Sequence, residues 1–167
     1  MNNRQSMRTY TEDEAFLKLA ALCATAEHCP QEMTEKMQRW EMGKEVQARV
    51  IDRLIEGKYI DEERYCRAFV RDKIDYSKWG RRKIEQALFA KRIPKDIQQR
   101  VLSEVDDDAY LAILRPLLES KRKGIRAANS YEMNGKLIRF AMQRGFTIDI
   151  IRRCIDDADS YENAEDD

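Results

Sequence analysis

Trp79-Gly80-Arg81-Arg82-Lys83-Ile84-Glu85-Gln86-Ala87-Leu88-Phe89-Ala90-Lys91-Arg92-Ile93-Pro94-Lys95-Asp96-Ile97-Gln98-Gln99-Arg100-Val101-Leu102 decides the fold. Ile84, Ala87, Leu88 and Lys91 recur at three- and four-residue spacing, which lines up a stripe on one side of a helix. Ile93 leads into Pro94, a residue suited to a first helical turn because it has no N–H to leave unpaired. Ile97, Val101 and Leu102 make a second stripe. The stretch reads as two short amphipathic helices joined by a tight corner at Arg92-Ile93.

The same unit recurs. Shifting Ile84, Leu88, Ile93, Ile97, Val101 and Leu102 forward by 53 lands on Leu137, Ala141, Phe146, Ile150, Cys154 and Ile155. Shifting them back by 51 lands on Met33, Met37, Met42, Val46, Val50 and Ile51, and all twelve are apolar. Leading helices fit less strictly, with Phe69 matched by Leu19 and Leu114. The pattern predicts an all-α protein of three tandem three-helix repeats in an elongated, curved array, each burying surface against its neighbour. The expected division is 1–10 flexible N-terminus, 11–57 repeat 1, 58–104 repeat 2, 105–156 repeat 3 and 157–167 acidic disordered tail.

Local signals fill in the array. Thr11 with Glu14 has capping-box spacing and opens a helix reaching about Ala26. His28-Cys29-Pro30 breaks it, Gly43 precedes the third helix, and Gly57 is expected at the C′ position that ends it. Asp61 caps the fourth helix, and Asp106 or Asp107 the seventh. Pro116 should kink that helix. Lys121 to Asn134, basic and polar, reads as the longest loop.

The net charge of zero over 167 residues hides an asymmetry. Seven acids and no Lys or Arg follow from Asp156 onward, so residues 1–155 carry +7. Residues 71–100 hold ten bases against four acids. A basic body with an acidic tail suits contact with a polyanion or an acidic protein groove.

Catalysis finds little support. Gly43-Lys44 and Gly135-Lys136 lack the upstream glycine of a phosphate loop, with Gln38 and Ser130 in its place. One histidine, His28 at a helix break, makes a His-based triad or general base improbable. Cys23, Cys29, Cys66 and Cys154 have no CxxC pair and read as reduced core thiols, with no metal and no cofactor expected. No apolar run approaches the roughly 18 residues of a membrane span, so a cytoplasmic, non-enzymatic monomer is expected.

Asp61-Glu62-Glu63-Arg64-Tyr65-Cys66-Arg67-Ala68-Phe69-Val70, then Trp79-Gly80-Arg81-Arg82-Lys83-Ile84 and Leu88 with Lys91-Arg92-Ile93, resembles the central repeat of the RecX family. Arg144-Gly145-Phe146 with Ile150 and Ile151 resembles its third repeat. The likeness runs from about residue 11 to 155, strongest over 58–102 and loose over 11–57. The family usually has glycine at the corner between helices two and three; Arg144-Gly145-Phe146 keeps it, whereas Arg92 and Glu41 replace it. A left-handed corner would strain both residues.

The resemblance implies a regulator of RecA recombinase in recombination, DNA repair and the SOS response. Such proteins lie in the groove of the RecA–DNA filament and restrain its ATP hydrolysis and strand exchange, with weak single-stranded or duplex DNA contact as a second element. Candidate contact residues are Arg71, Lys73, Lys78, Trp79, Arg81, Arg82, Lys83, Phe89, Lys91 and Arg92, with a second cluster at Lys121, Arg122, Lys123 and Arg126. Phe89 lies opposite Ile84 and Leu88 on the wheel, where it either packs against an adjacent unit or, as an outward aromatic beside an arginine, suits an interface anchor. Trp79 beside Arg81, Arg82 and Lys83 suits base stacking along a phosphate backbone, or else packs into the core. Three cations at a helix N-terminus oppose its dipole, which favours a functional reason for them. The competing class is a stand-alone helix-turn-helix reader placing Arg81 to Lys91 in a major groove.

Overall fold

Short polar residues start the helices where their side chains can take up free N–H groups. Thr11 Oγ1 accepts from the Glu14 N–H at 3.1 Å, Asp61 from Arg64 at 3.0 Å, Asp106 from Ala109 at 3.0 Å and Asn129 from Glu132 at 2.9 Å. Pro30 opens its helix without an N–H to satisfy. The computed structural model describes residues 9–155. In it the helices are α1 (Glu12–Thr25), α2 (Pro30–Arg39), α3 (Lys44–Glu56), α4 (Glu62–Asp75), α5 (Arg81–Ala90), α6 (Lys95–Ser103), α7 (Asp107–Gly124) and α8 (Ser130–Gln143). Residues 148–155 form α9, and no strand occurs among the described residues. The expected acidic tail and the first eight residues lie outside them.

The helices fall into three triplets, and the corner between second and third helices is built the same way each time. At the first corner Met42 N–H donates to Met37 C=O (3.1 Å) and Glu41 to Gln38 (2.9 Å). At the second, Ile93 donates to Leu88 (3.1 Å) and Arg92 to Phe89 (2.9 Å); at the third, Phe146 donates to Ala141 (3.2 Å) and Gly145 to Met142 (3.0 Å). This paired closure requires one left-handed residue. Glu41 (φ 54°), Arg92 (φ 55°) and Gly145 (φ 90°) supply it, so the two non-glycine corners are strained as the sequence suggests.

A second device also recurs. Arg49–Glu12 (3.3 Å), Arg100–Glu63 (2.9 Å) and Arg153–Asp107 (3.3 Å) each tie the third helix of a triplet to the first turn of its first helix. Exposed pairs of this kind contribute about 0–1 kcal/mol apiece. They set register more than stability.

Several sequence expectations are corrected. Lys121 to Asn134 is not a long loop: α7 runs to Gly124, α8 starts at Ser130, and the cations of α7's last turn offset its C-terminal carbonyl dipole. Pro116, where a kink is expected, lies exposed within α7, as does Ala112, whose carbonyl loses the N–H that proline lacks. Gly57 is not the left-handed residue after α3; Lys58 is (φ 59°). Gly57 instead leaves room for the Tyr59 ring, which a Cβ would meet at 2.9 Å. Nor does every triplet need its neighbour's core. The first closes its own around Leu19, Met33, Met37, Val50, Leu54 and Ile60, while the second and third share one that admits only Cys29 from the first.

The second and third triplets meet backbone to backbone. Gly80 N–H donates to Arg144 C=O at 2.8 Å and Arg82 N–H to Gly145 C=O at 2.9 Å. A Cβ on Gly80 would sit 2.3 Å from the Phe146 nitrogen, and one on Gly145 would sit 2.3 Å from Lys83 Cβ. The free N–H groups of α5 are thereby satisfied by the carbonyl end of α8.

Two stability outcomes follow from this geometry. Glu41→Gly and Arg92→Gly should each raise stability by about 1 kcal/mol, whereas Gly80→Ala should lower it markedly, all read by thermal melting. Burial also pushes the Cys29 and Cys66 thiols up to about 11, and both side chains are fully covered. At pH 8 a thiol reagent should modify half-buried Cys23 and reach Cys29 and Cys66 only on unfolding.

Candidate partner-binding surface

Phe69, Trp79 and Phe140 each have a cation four residues on, which on a helix brings the side chains together. α4 ends at Asp75, and the turn through Lys78 (φ 57°) lets the Trp79 N–H close onto Lys73 C=O at 3.0 Å. The indole, half-buried against the core, then has Lys73 Nζ 4.9 Å and Lys83 Nζ 4.6 Å from its centroid. Lys73 Nζ also lies 5.2 Å from the Phe69 centroid.

Across the joint, Arg144 Cζ is 5.3 Å and Lys121 Nζ 5.1 Å from the Phe140 centroid. Arg144 Nη1 donates to Ser77 C=O at 3.3 Å, and Gly145 abuts Lys83. The result is one run of alternating rings and cations: Phe69, Lys73, Trp79, Lys83, then Arg144, Phe140 and Lys121. Each cation–ring contact contributes about 0.5–1 kcal/mol in an exposed setting. Among the described residues no carboxylate lies within ion-pair distance of Lys83, Lys121 or Arg144, and Lys73 has only Asp72, at 3.7 Å.

The other candidates are distributed elsewhere. Arg81 is bound by Glu85 at 2.6 Å and, with Asp107, Tyr110 and Phe146, walls a cavity of about 270 Å³. Arg71 lines a groove of about 310 Å³ with Asp75, Glu104 and Asp106. Lys91 and Arg92 line a cleft of about 280 Å³ with Glu35 and Glu62, where burial and then Asp96 hold the Glu62 carboxyl above its usual range. Arg82 is exposed and Lys78 half-buried beside the joint. Phe89 stands 80% exposed on α5. Arg122 and Lys123 lie in the last turn of α7, and Arg126 follows in the α7–α8 connection, where its carbonyl accepts from Lys136 Nζ at 2.8 Å.

One reading changes on this geometry. The cations at α5's start rest on the carbonyl end of α8, whose dipole favours them, so their position has a structural reason. The α8–α9 corner takes up the backbone N–H groups of Gly80 and Arg82, while the Arg82 side chain stays exposed. Arg144 and Phe140 are the candidates that sequence reasoning missed; the ring-then-cation spacing at 69/73, 79/83 and 140/144 was the available signal, although Trp40 and Lys44 share it outside the run.

Among the described residues no helix is long and apolar enough to cross a membrane. No group of three His, Cys, Asp or Glu there could hold a metal.

Comparison with known proteins places this array. The RecX second three-helix domain matches residues 61–102 and the RecX third three-helix domain residues 108–155. Regulatory protein RecX of Clostridium botulinum (strain Eklund 17B / Type B) is 29% identical over 116 residues, 68% of this chain and 54% of that protein. Regulatory protein RecX of Chlorobium limicola is 26% identical over 151 residues, 89% of this chain and 92% of that protein. The chain thus spans about half the length of the clostridial relative. The crystal structure of RecX from Lactobacillus salivarius superposes with a TM-score of 0.78 at 19% identity, covering 89% of this chain and 96% of that one. With both domain matches falling on the second and third triplets, and the triplet array shared with a solved relative, the chain belongs to the RecX family.

Proposed function

We propose that this chain regulates a RecA-type recombinase by lying along its nucleoprotein filament and restraining ATP hydrolysis and strand exchange. The observation that carries the reading is the cation–ring run across the second and third triplets. Lys73 has Asp72 at 3.7 Å, but Lys83, Lys121 and Arg144 face rings rather than carboxylates, which leaves them open to an anionic partner. Family membership supports the same direction. A row of triplets can touch successive protomers of a filament, and several weak contacts held on one scaffold gain affinity by multivalency. DNA within the filament is a second, salt-sensitive contact for the same cations. Phe89 supplies an exposed apolar anchor on a neighbouring face.

The test is a titration into a RecA–single-strand-DNA ATPase assay at two salt concentrations. The wild-type chain should inhibit, less at the higher salt. Combined Lys83→Glu, Lys121→Glu and Arg144→Glu should weaken inhibition by about tenfold or more, with circular dichroism checking that the helices remain folded at the assay temperature. Phe89→Ala should weaken it by several-fold at unchanged stability, as expected for truncating an exposed anchor at about 1–2 kcal/mol. Unaltered inhibition by the triple variant would remove the run from the interface.

A further inference from the structure

The cavity of about 270 Å³ beside the start of α5 is lined in part by a tyrosine whose hydroxyl has nothing to bond. Tyr110 is 3% exposed, and its oxygen has no hydrogen-bond partner among the described residues. Burial above all raises the pKa of that hydroxyl, so the phenol keeps its proton at neutral pH and can donate. A buried O–H is costly while unpaired, and a ligand that accepts from it removes the cost.

The other polar groups around the cavity are balanced in charge but not in hydrogen bonds. Arg81 gives its Nε to Glu85 at 2.6 Å, and among the described residues its terminal nitrogens bond to nothing. Asp107, at the rim, receives Arg153 on Oδ2 at 3.3 Å, which leaves Oδ1 as an acceptor. Phe146 and Ile150, both buried, supply apolar wall. Donors from Tyr110 and Arg81 with an acceptor from Asp107, and no net charge, complement a carboxamide. Its C=O accepts from the first two and its NH₂ donates to the third. A carboxylate would instead bring a third negative charge beside Glu85 and Asp107.

The i, i+4 row that starts at Arg81 continues through Glu85 to Phe89. The 80% exposed Phe89 ring therefore stands about 12 Å along α5 from Arg81. Arg81 and Arg153 are held by carboxylates, whereas Lys83 and Arg144 face rings. This side of α5 thus offers hydrogen bonds and an apolar ring without free charge, which suits a protein segment better than a polyanion.

We propose that the cavity docks a protein partner, taking an Asn or Gln side chain while Phe89 packs on an apolar residue of the same segment. The test is ¹⁵N-resolved NMR on the full chain, titrated with propionamide, the end of a Gln side chain, and with propionate and deoxyguanosine as comparators. Propionamide should shift the amides of Tyr110 and residues 146–150 saturably. Tyr110→Phe should weaken that binding by about fivefold or more. Its melting temperature should stay level or rise, because the deleted hydroxyl had no partner. A blocked Leu-Ala-Ala-Gln peptide, whose ends lie about 10 Å apart when extended, should bind more tightly than propionamide, and Phe89→Ala should abolish only that gain. No saturable shift, or an equal response in Tyr110→Phe, would overturn the site. Tighter binding of propionate or deoxyguanosine would overturn its ligand class, and a peptide no tighter than propionamide would overturn the part given to Phe89. No recombinase enters these titrations, so their failure is distinct from failure of the filament reading.

Discussion

Everything in this fold depends on a corner that must turn left. A helix two residues past its last good hydrogen bond has spare carbonyls, and the paired closure at residues 41, 92 and 145 uses two of them while reversing the chain. The apolar residue that follows each corner, Met42, Ile93 or Phe146, is delivered onto the core by that turn. The third corner does more. Its remaining carbonyls, from Arg144 and Gly145, receive the N–H groups of the preceding triplet's second helix. Closure within one triplet and docking of another thus meet at Gly145, whose N–H serves the first and whose carbonyl the second, and neither Gly145 nor Gly80 has room for a side chain.

The charges sort by the same logic. Part of the positive charge counted over 71–100 is paired within the molecule: Arg100 holds Glu63, and Arg81 holds Glu85. Just outside that span, Arg67 holds Glu104, whose carboxyl is pulled below its usual range chiefly by that hydrogen bond. Exposed pairs of this type contribute little to stability. Their effect is to remove cations from the set that a partner can meet. What is left over beside the rings is a smaller group than the count of bases suggests, and it spans two triplets rather than crowding one.

The fold was legible because its determinants are short-range. Apolar spacing, Asp and Asn caps and the shifts of 51 and 53 all act within one or two turns, and the equivalent positions prove buried or half-buried in all three triplets. The surface was less legible. Lys73 and Lys121 are 48 residues apart in sequence, and they belong to one run only because Gly80 docks on Gly145. The spread of Arg71, Arg81 and Arg92 onto separate clefts has the same origin, since each faces whichever triplet packs nearest. Lys121 to Lys123 were misread as loop because a Lys-rich helix end has the composition of a loop. The dipole argument that favours cations at a C-terminus distinguishes the two only once the helix is known to reach that far.

The run of rings and cations crosses the joint that is fastened by backbone and avoids the one that is not. A surface that must keep charges at fixed separations needs a support whose parts do not shift, and hydrogen bonds between main chains at 2.8 and 2.9 Å supply it. The first triplet contributes none of these rings or cations, and its joint is made of side chains, with Glu27 paired to Arg64 and Cys29 seated in the neighbouring core. The second and third triplets share one core and two main-chain bonds, whereas the first closes its own core and gives only Cys29 to theirs. At the first joint Cys29-Pro30 stands where the second has Gly80-Arg81, and that one difference removes the main-chain bonds of the docking site.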